Sequence, residues 1–271
     1  MVIPTQYPVM VIGGAEDKVN QCDILTAFFE SAGGKLAKIG IIPCASQEPS
    51  AVGDRYYQIF NQMAAQQVQV LDIRQRNECD EARWLETLGN CTGIFITGGD
   101  QVRLRDFMGG SQFIETIKKR VHLGTLVLAG TSAGAAIMGE MMISGGSSGE
   151  SPNRSLVDLM EGLGIIPELL VDQHFHNRNR MARLMSAIAA HPDKLGIGID
   201  EDTCAAFKGD GTFDILGKGS ITVIDPGPLT HTNYLESDET APLSLHNLTL
   251  HVLKQGDCYD YRHRAVLSLK S

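Results

Sequence analysis

Ser132 stands in the middle of Gly130-Thr131-Ser132-Ala133-Gly134, a G-x-S-x-G sequence. The apolar run Leu126, Val127, Leu128, Ala129 enters it, and small helix-compatible residues follow as far as Met138. Strand, tight turn and helix with a serine at the apex is the setting of a nucleophile elbow. The turn strains the serine backbone, and only very small neighbours let the chain fold back so sharply. It also aims the amide of Ala133 at whatever the hydroxyl attacks, at a helix N-terminus that favours developing negative charge.

A serine hydroxyl is a poor nucleophile at neutral pH until a base takes its proton, and that base is normally a histidine held by a carboxylate. Eight histidines compete for the role. His122 lies on a helix before the elbow strand, on the wrong side of it. His191 precedes Pro192 at a helix end, where histidine commonly caps. His231, His246, His251 and His263 are interleaved with polar residues in the tail. His174 and His176 remain, in the segment Leu169 to His176, which follows a short apolar strand. Its end should emerge on the same sheet edge as Ser132. His174 flanks the strand end beside Asp172 and is preferred, with His176 as the alternative. For the carboxylate, Glu201 hangs off the buried strand Gly196 to Ile199, and Asp172 lies two residues before His174. Glu201 is preferred because it approaches from a neighbouring strand. Asp172 serves only if the segment is still extended there.

Two further groups sit at strand ends. Gly98-Gly99 closes the strand Gly93 to Thr97, and its amides are candidates for a second oxyanion donor, with Asp100 as a plain N-cap the competing reading. Arg178, Arg180 and Arg183 fall within six residues beside the preferred base. Such a cluster suits bidentate capture of carboxylates, and a solvated basic face is the alternative. At helical spacing, Arg180 and Arg183 share a face away from Met181, Leu184, Met185 and Ile188.

The elements that must position these groups alternate. Apolar runs at Pro8–Ile12, Lys38–Ile42, Val68–Leu71 and Gly93–Thr97 read as strands. Helices with apolar residues at the 3.6 period are expected after Asn20, over Asp54–Ala65 and over Glu81–Leu88. This rhythm implies right-handed crossovers and a parallel sheet. Ile143–Glu150, rich in Gly and Ser, reads as a mobile loop near the elbow. After Glu201, Thr203–Phe207, Thr212–Leu216, Ser220–Ile224, Leu248–Leu253 and Cys258–Tyr261 read as an antiparallel extension of the same sheet. No composition break divides the chain, so residues 1–271 are expected to form one α/β catalytic domain.

With 271 residues, 43% hydrophobic and 20% charged, the composition is that of a globular chain with a substantial core. The net charge of −9 speaks against nucleic acid as a partner. No apolar stretch approaches bilayer length and no signal segment is visible, so no membrane association and a cytoplasmic location are expected. The six cysteines lack CxxC spacing and suit reduced thiols.

Taken together, GTSAGA, the strand-end GGDQ and DQHFHNRNRMAR resemble the serine peptidase family of cyanophycinases and aspartyl dipeptidases, over essentially the whole chain. The resemblance is greatest to its cyanophycinase members. It implies a fold like class I glutamine amidotransferase domains (flavodoxin-like) and a Ser132, His174, Glu201 triad. It implies an oxyanion hole near Gly99 and Ala133, and a substrate pocket lined by Gln101, Asp172, Gln173, Arg178, Arg180 and Arg183. The implied reaction is exo-cleavage of cyanophycin, a poly-aspartate carrying arginine on each β-carboxyl, to β-aspartyl-arginine. No metal or other cofactor is required, and a homodimer is expected from the family. An α-aspartyl dipeptidase of the same family is the alternative activity. A glutaminase of the amidotransferase type would need cysteine at the elbow, where Ser132 stands.

Overall fold

The computed structural model describes residues 6–149 and 151–267. Its first half alternates: β1 (Val9–Ile12), α1 (Asp23–Ser31), β2 (Lys38–Ile42), α2 (Pro49–Gln62), β3 (Gln67–Val70), α3 (Ala82–Asn90), β4 (Gly93–Ile96), α4 (Gln101–Met108), α5 (Gln112–His122), β5 (Val127–Thr131) and the short α6 (Ala133–Ala136). The five strands lie parallel in the order β1-β5-β4-β2-β3. Every residue of β1, β4 and β5 is buried, as expected for strands covered on both faces. On one face α1 and α2 pack Phe28, Tyr56 and Phe60 around Phe95, with ring centroids 4.7–5.6 Å apart. Aromatic contacts of this kind add about 0.5–1.5 kcal/mol each beyond their buried area. On the other face Trp84 and Leu88 of α3, Leu104 of α4 and Ile117 of α5 cover the sheet.

The second half continues with β6 (Met141–Gly146), β7 (Val157–Glu161), β8 (Leu169–Gln173), α7 (Met181–Ala190), β9 (Leu195–Ile199), β10 (Thr203–Phe207), β11 (Thr212–Gly217), β12 (Ser220–Asp225), β13 (His231–Thr232), β14 (Leu245–His246), β15 (Thr249–Lys254), β16 (Cys258–Asp260) and β17 (Ala265–Leu267). Here the expected single sheet is corrected. β10, β11, β16 and β17 do extend the large sheet, antiparallel from the edge of β1. β8, β9, β12 and β15 instead form a second sheet of four strands. Ile197, Ile199, Ile221 and Val223 of that sheet share one core with Ala205, Phe207, Phe213 and Ile215 of the large one. A chain this apolar in its tail can bury both faces of β10 and β11 only by stacking a second layer on them.

Three local expectations also change. The first half of the segment read as a mobile loop at 143–150 belongs to β6, laddered to β7 with a bulge between Ile143 and Gly145. A ladder uses backbone groups, so Gly-Ser composition does not preclude it. Glu150 lies outside the described residues. Helix α2 begins five residues before the expected Asp54, because Pro49 is preorganised for a first helical turn. The cap expected at Asn20 is absent: Cys22 precedes α1, and the amides of Val19, Asn20 and Gln21 donate to Asp17.

Candidate active site

β5 delivers Ser132 at its C-terminal end with φ 53° and ψ −110°, outside the regions an L-residue favours. The strain is held from both sides. Ser132 N donates to Ile12 O of β1 at 2.9 Å, and its carbonyl accepts from Ala135 and Ala136. A side chain at Gly130 would place Cβ 2.2 Å from Gly134 O, so the reversal tolerates nothing larger there. Conformations of this kind persist where the surroundings over-determine them, and they gather at functional sites.

His174 follows β8 directly. Its Nε2 stands 2.9 Å from Ser132 Oγ, and its Nδ1 stands 2.6 Å from Glu201 Oε1. A carboxylate can only accept, so Nδ1 carries the ring proton and Nε2 is free to take the serine's. Glu201 comes from the turn after β9, where its amide donates to Asn177 Oδ1 at 3.0 Å. Burial holds the His174 pKa below its ordinary value. The Glu201 hydrogen bond opposes that shift, and the charges of Arg178 and Arg180 add to it. A base kept neutral near pH 7 is the state that accepts a proton.

Backbone geometry separates the two carboxylate candidates. His174 has φ 50°, so the segment is no longer extended when it reaches the imidazole. Asp172 therefore points elsewhere: it is 1% exposed and bonded to Arg183 through both carboxylate oxygens, Nε lying 2.9 Å from Oδ2. Arg180 Nη1 reaches Asp172 Oδ1 at 3.3 Å, Gln173 O at 2.6 Å and Gln173 Oε1 at 3.2 Å. Burial lowers the Arg180 pKa to about 10, with Asp172 opposing. The helix face that the spacing assigned to Arg180 and Arg183 thus turns inward for Arg183, which is buried. The reason is its partner, a carboxylate eleven residues earlier on β8.

His176 is exposed, and its bonds go to Asp200. Its amide donates to Asp200 Oδ1 at 2.9 Å, and Nδ1 lies 3.0 Å from the same oxygen. Burial pushes the Asp200 carboxyl up, but bonds from the His176 amide and from Ser220 outweigh it, and the net shift is downward. Gln101, the first residue of α4, donates from Nε2 to Ile143 O and Ser144 O, fastening β6 beside the elbow. Asp100 does cap α4, accepting from Val102 N and Arg103 N, as the N-cap reading of this turn expects. Gly98 borders Ser132 closely: a Cβ built on it would lie 3.6 Å from Oγ. The Gly99 amide has no acceptor among the described residues, and Ala133 opens α6, where an amide has no intrahelical partner.

One contributor escapes the sequence reading. Gly13 and Gly14 end β1, and Gly13 O accepts His174 N at 2.9 Å. A Cβ on Gly14 would lie 2.4 Å from His174 Cε1, so the imidazole rests in the space a side chain would fill. The signal was present as a second Gly-Gly pair at the end of a central parallel strand, like Gly98-Gly99. Among the described residues, no three His, Cys, Asp or Glu side chains are grouped to hold a metal, and no helix is long and apolar enough to cross a membrane.

Comparison with known proteins places this geometry in context. Residues 9–215 match peptidase family S51. A cyanophycinase of Trichormus variabilis is 56% identical over 263 residues, covering 97% of this chain and 88% of that protein. A cyanophycinase of Synechococcus elongatus is 54% identical over 258 residues, covering 95% and 80%. Among solved structures, a peptidase from an acI-B1 actinobacterium superposes with a TM-score of 0.69 at 19% identity, covering 93% of this chain and 96% of that one. At that identity the likeness speaks for the fold alone.

Proposed function

This chain belongs to peptidase family S51, and from that premise we propose that it is a serine exopeptidase that hydrolyses cyanophycin to β-aspartyl-arginine. The observation that carries the reading is the 56% identity to a cyanophycinase across 97% of the chain. The Ser132–His174–Glu201 contacts supply a mechanism that fits it.

Ser132 Oγ attacks the carbonyl carbon of the terminal backbone peptide bond while His174 Nε2 takes its proton. Glu201 holds the imidazole in the required tautomer and stabilises the imidazolium that forms. The oxyanion of the tetrahedral intermediate sits against the amides of Gly99 and Ala133, each contributing roughly 3 kcal/mol. His174 returns the proton to the leaving amine, an acyl-enzyme remains on Ser132, and water activated by the same histidine releases the dipeptide. Gln101, Asp172, Gln173, Arg178, Arg180 and Arg183 border the substrate. Arg178, exposed and close to His174, is the cation best placed to grip a free carboxylate at the polymer end. Asp172 and Arg183, paired to each other, serve as the wall behind it.

We assign this activity to one catalytic domain acting in the cytoplasm as a homodimer. The unpaired state of all six thiols fits a reducing compartment. The exposed Leu250 and Val252 on β15, at the edge of the small sheet, suit burial against a second copy. Mass spectrometry of the soluble products released from insoluble cyanophycin, with wild type and Ser132→Ala in parallel, tests the proposal. β-Aspartyl-arginine from the wild type alone is expected. Release by neither protein refutes the substrate, and release by both refutes the nucleophile.

A further inference from the structure

The end of β1 and the segment 13–21 that follows it bond to the backbone of Ser132, of His174 and of the residue after Glu201. Just before it, Ile12 O accepts Ser132 N, and within it Gly13 O accepts His174 N and Gly14 O accepts Asp202 N, the residue after Glu201, each at 2.9 Å. At the centre of this segment lies a side chain with no part in the mechanism so far. Glu16 is 3% exposed. Its Oε2 accepts the Thr131 hydroxyl at 2.6 Å, and its Oε1 accepts the Tyr56 hydroxyl. Lys18 Nζ lies 3.1 Å from Oε1 and over the Tyr56 ring.

Removing a carboxylate from water is unfavourable unless partners satisfy it, and an apolar side chain would fill this position with fewer demands. What the carboxylate supplies is a directional hold on Thr131. Thr131 is the last residue before Ser132, whose backbone is strained and needs over-determination to keep its geometry. The bond from Thr131 to Glu16 fixes the near side of that strain. The same segment presents Gly14 to the imidazole, so nucleophile and base share one support.

We propose that Glu16 is a positioning residue for the reaction at Ser132: through the Thr131 hydroxyl it holds the elbow in register with His174, without touching a reacting atom. The inference rests on the reading of Ser132 as nucleophile.

The test uses a fluorophosphonate probe, which phosphonylates an activated serine with loss of fluoride and needs no cyanophycin. Wild type is expected to label at Ser132. Glu16→Ala and Thr131→Val should each slow labelling, and kcat on cyanophycin, roughly ten- to a hundred-fold, with KM within about two-fold. The double variant should be no slower than the slower single, because both remove one interaction. Glu16→Gln, which keeps the size and one carbonyl acceptor, should fall between wild type and Glu16→Ala. Phe213→Leu, in the core of β11, controls for lost stability: its melting temperature should drop while its labelling rate at 25 °C holds. Should Glu16→Ala not fold, Glu16→Gln and Thr131→Val form the same cycle. Labelling at the wild-type rate in the variants, or single effects that multiply in the double, overturns the proposal. Wild type that does not label at Ser132 overturns the nucleophile reading, and this inference with it.

Discussion

Ser132 Oγ and His174 Nε2 lie 2.9 Å apart although β5 and β8 belong to different sheets. No ladder of strand pairing sets that distance. It is set where the small sheet meets the end of β1, by the bond from His174 N to Gly13 O and by the imidazole packed on Gly14. The alignment of His174 with Ser132 therefore depends on this seam more than on the large sheet's own register.

Gly14→Ala follows directly. A methyl group there would lie 2.4 Å from His174 Cε1 and 2.5 Å from Nε2, on a backbone at φ 103°. The ring must move by an ångström or so, and a displacement of that size lowers turnover by about a hundred-fold. Steady-state kcat falls by at least that factor, while far-UV circular dichroism stays that of the wild type.

The acid limb of the kcat/KM profile should have its midpoint below pH 6.5, because burial lowers the His174 pKa and only the neutral ring is active. Two variants should move it in opposite directions. Arg178→Ala removes a cation that lowers the pKa, so the midpoint rises. Glu201→Gln removes the partner that raises it, so the midpoint falls. Imidazole NMR titration reads both shifts even where turnover is small. The same group contributes stability that is fully present above its unfolded value near 6.5 and is lost as pH falls through the lower folded value.

Glu201→Gln also tests the role of the carboxylate. Glutamine can offer its amide to Nδ1, which favours the tautomer with the proton on Nε2, where it cannot accept from Ser132. A loss of kcat of about 10⁴-fold is expected, with KM nearly unchanged. A loss under ten-fold in stopped assays of product release would mean another group orients His174.

Much of this site could be read locally. Ser132 announces itself because an elbow needs small residues at fixed offsets, and the strand before it is an apolar run. His174 is the first residue past β8, and Glu201 stands in the acidic run Asp200-Glu201-Asp202 that follows β9. Sheet membership could not be read in this way, since a strand buried on both faces looks the same in either sheet. Nor could the inward turn of Arg183, which depends on Asp172 at a distance in sequence. The ladder of β6 was hidden because Ser and Gly carry no side-chain periodicity, although backbone pairing needs none.

The buried ion pair offers the sharpest stability test. Asp172 is the shared partner of Arg183 and Arg180. Asp172→Asn leaves two guanidinium groups in the interior short of their anion, and breaking a buried pair from one side costs about 3–5 kcal/mol. Arg183→Met removes one cation and fills its space with an apolar side chain, while Asp172 keeps Arg180 at 3.3 Å. That variant should lose less, about 1–3 kcal/mol, the penalty for one incompletely satisfied group. Urea unfolding of both variants at pH 7 measures the order. If Arg183→Met proves the more destabilising of the two, Arg183 is held by more than its carboxylate, through the packing of its side-chain stem.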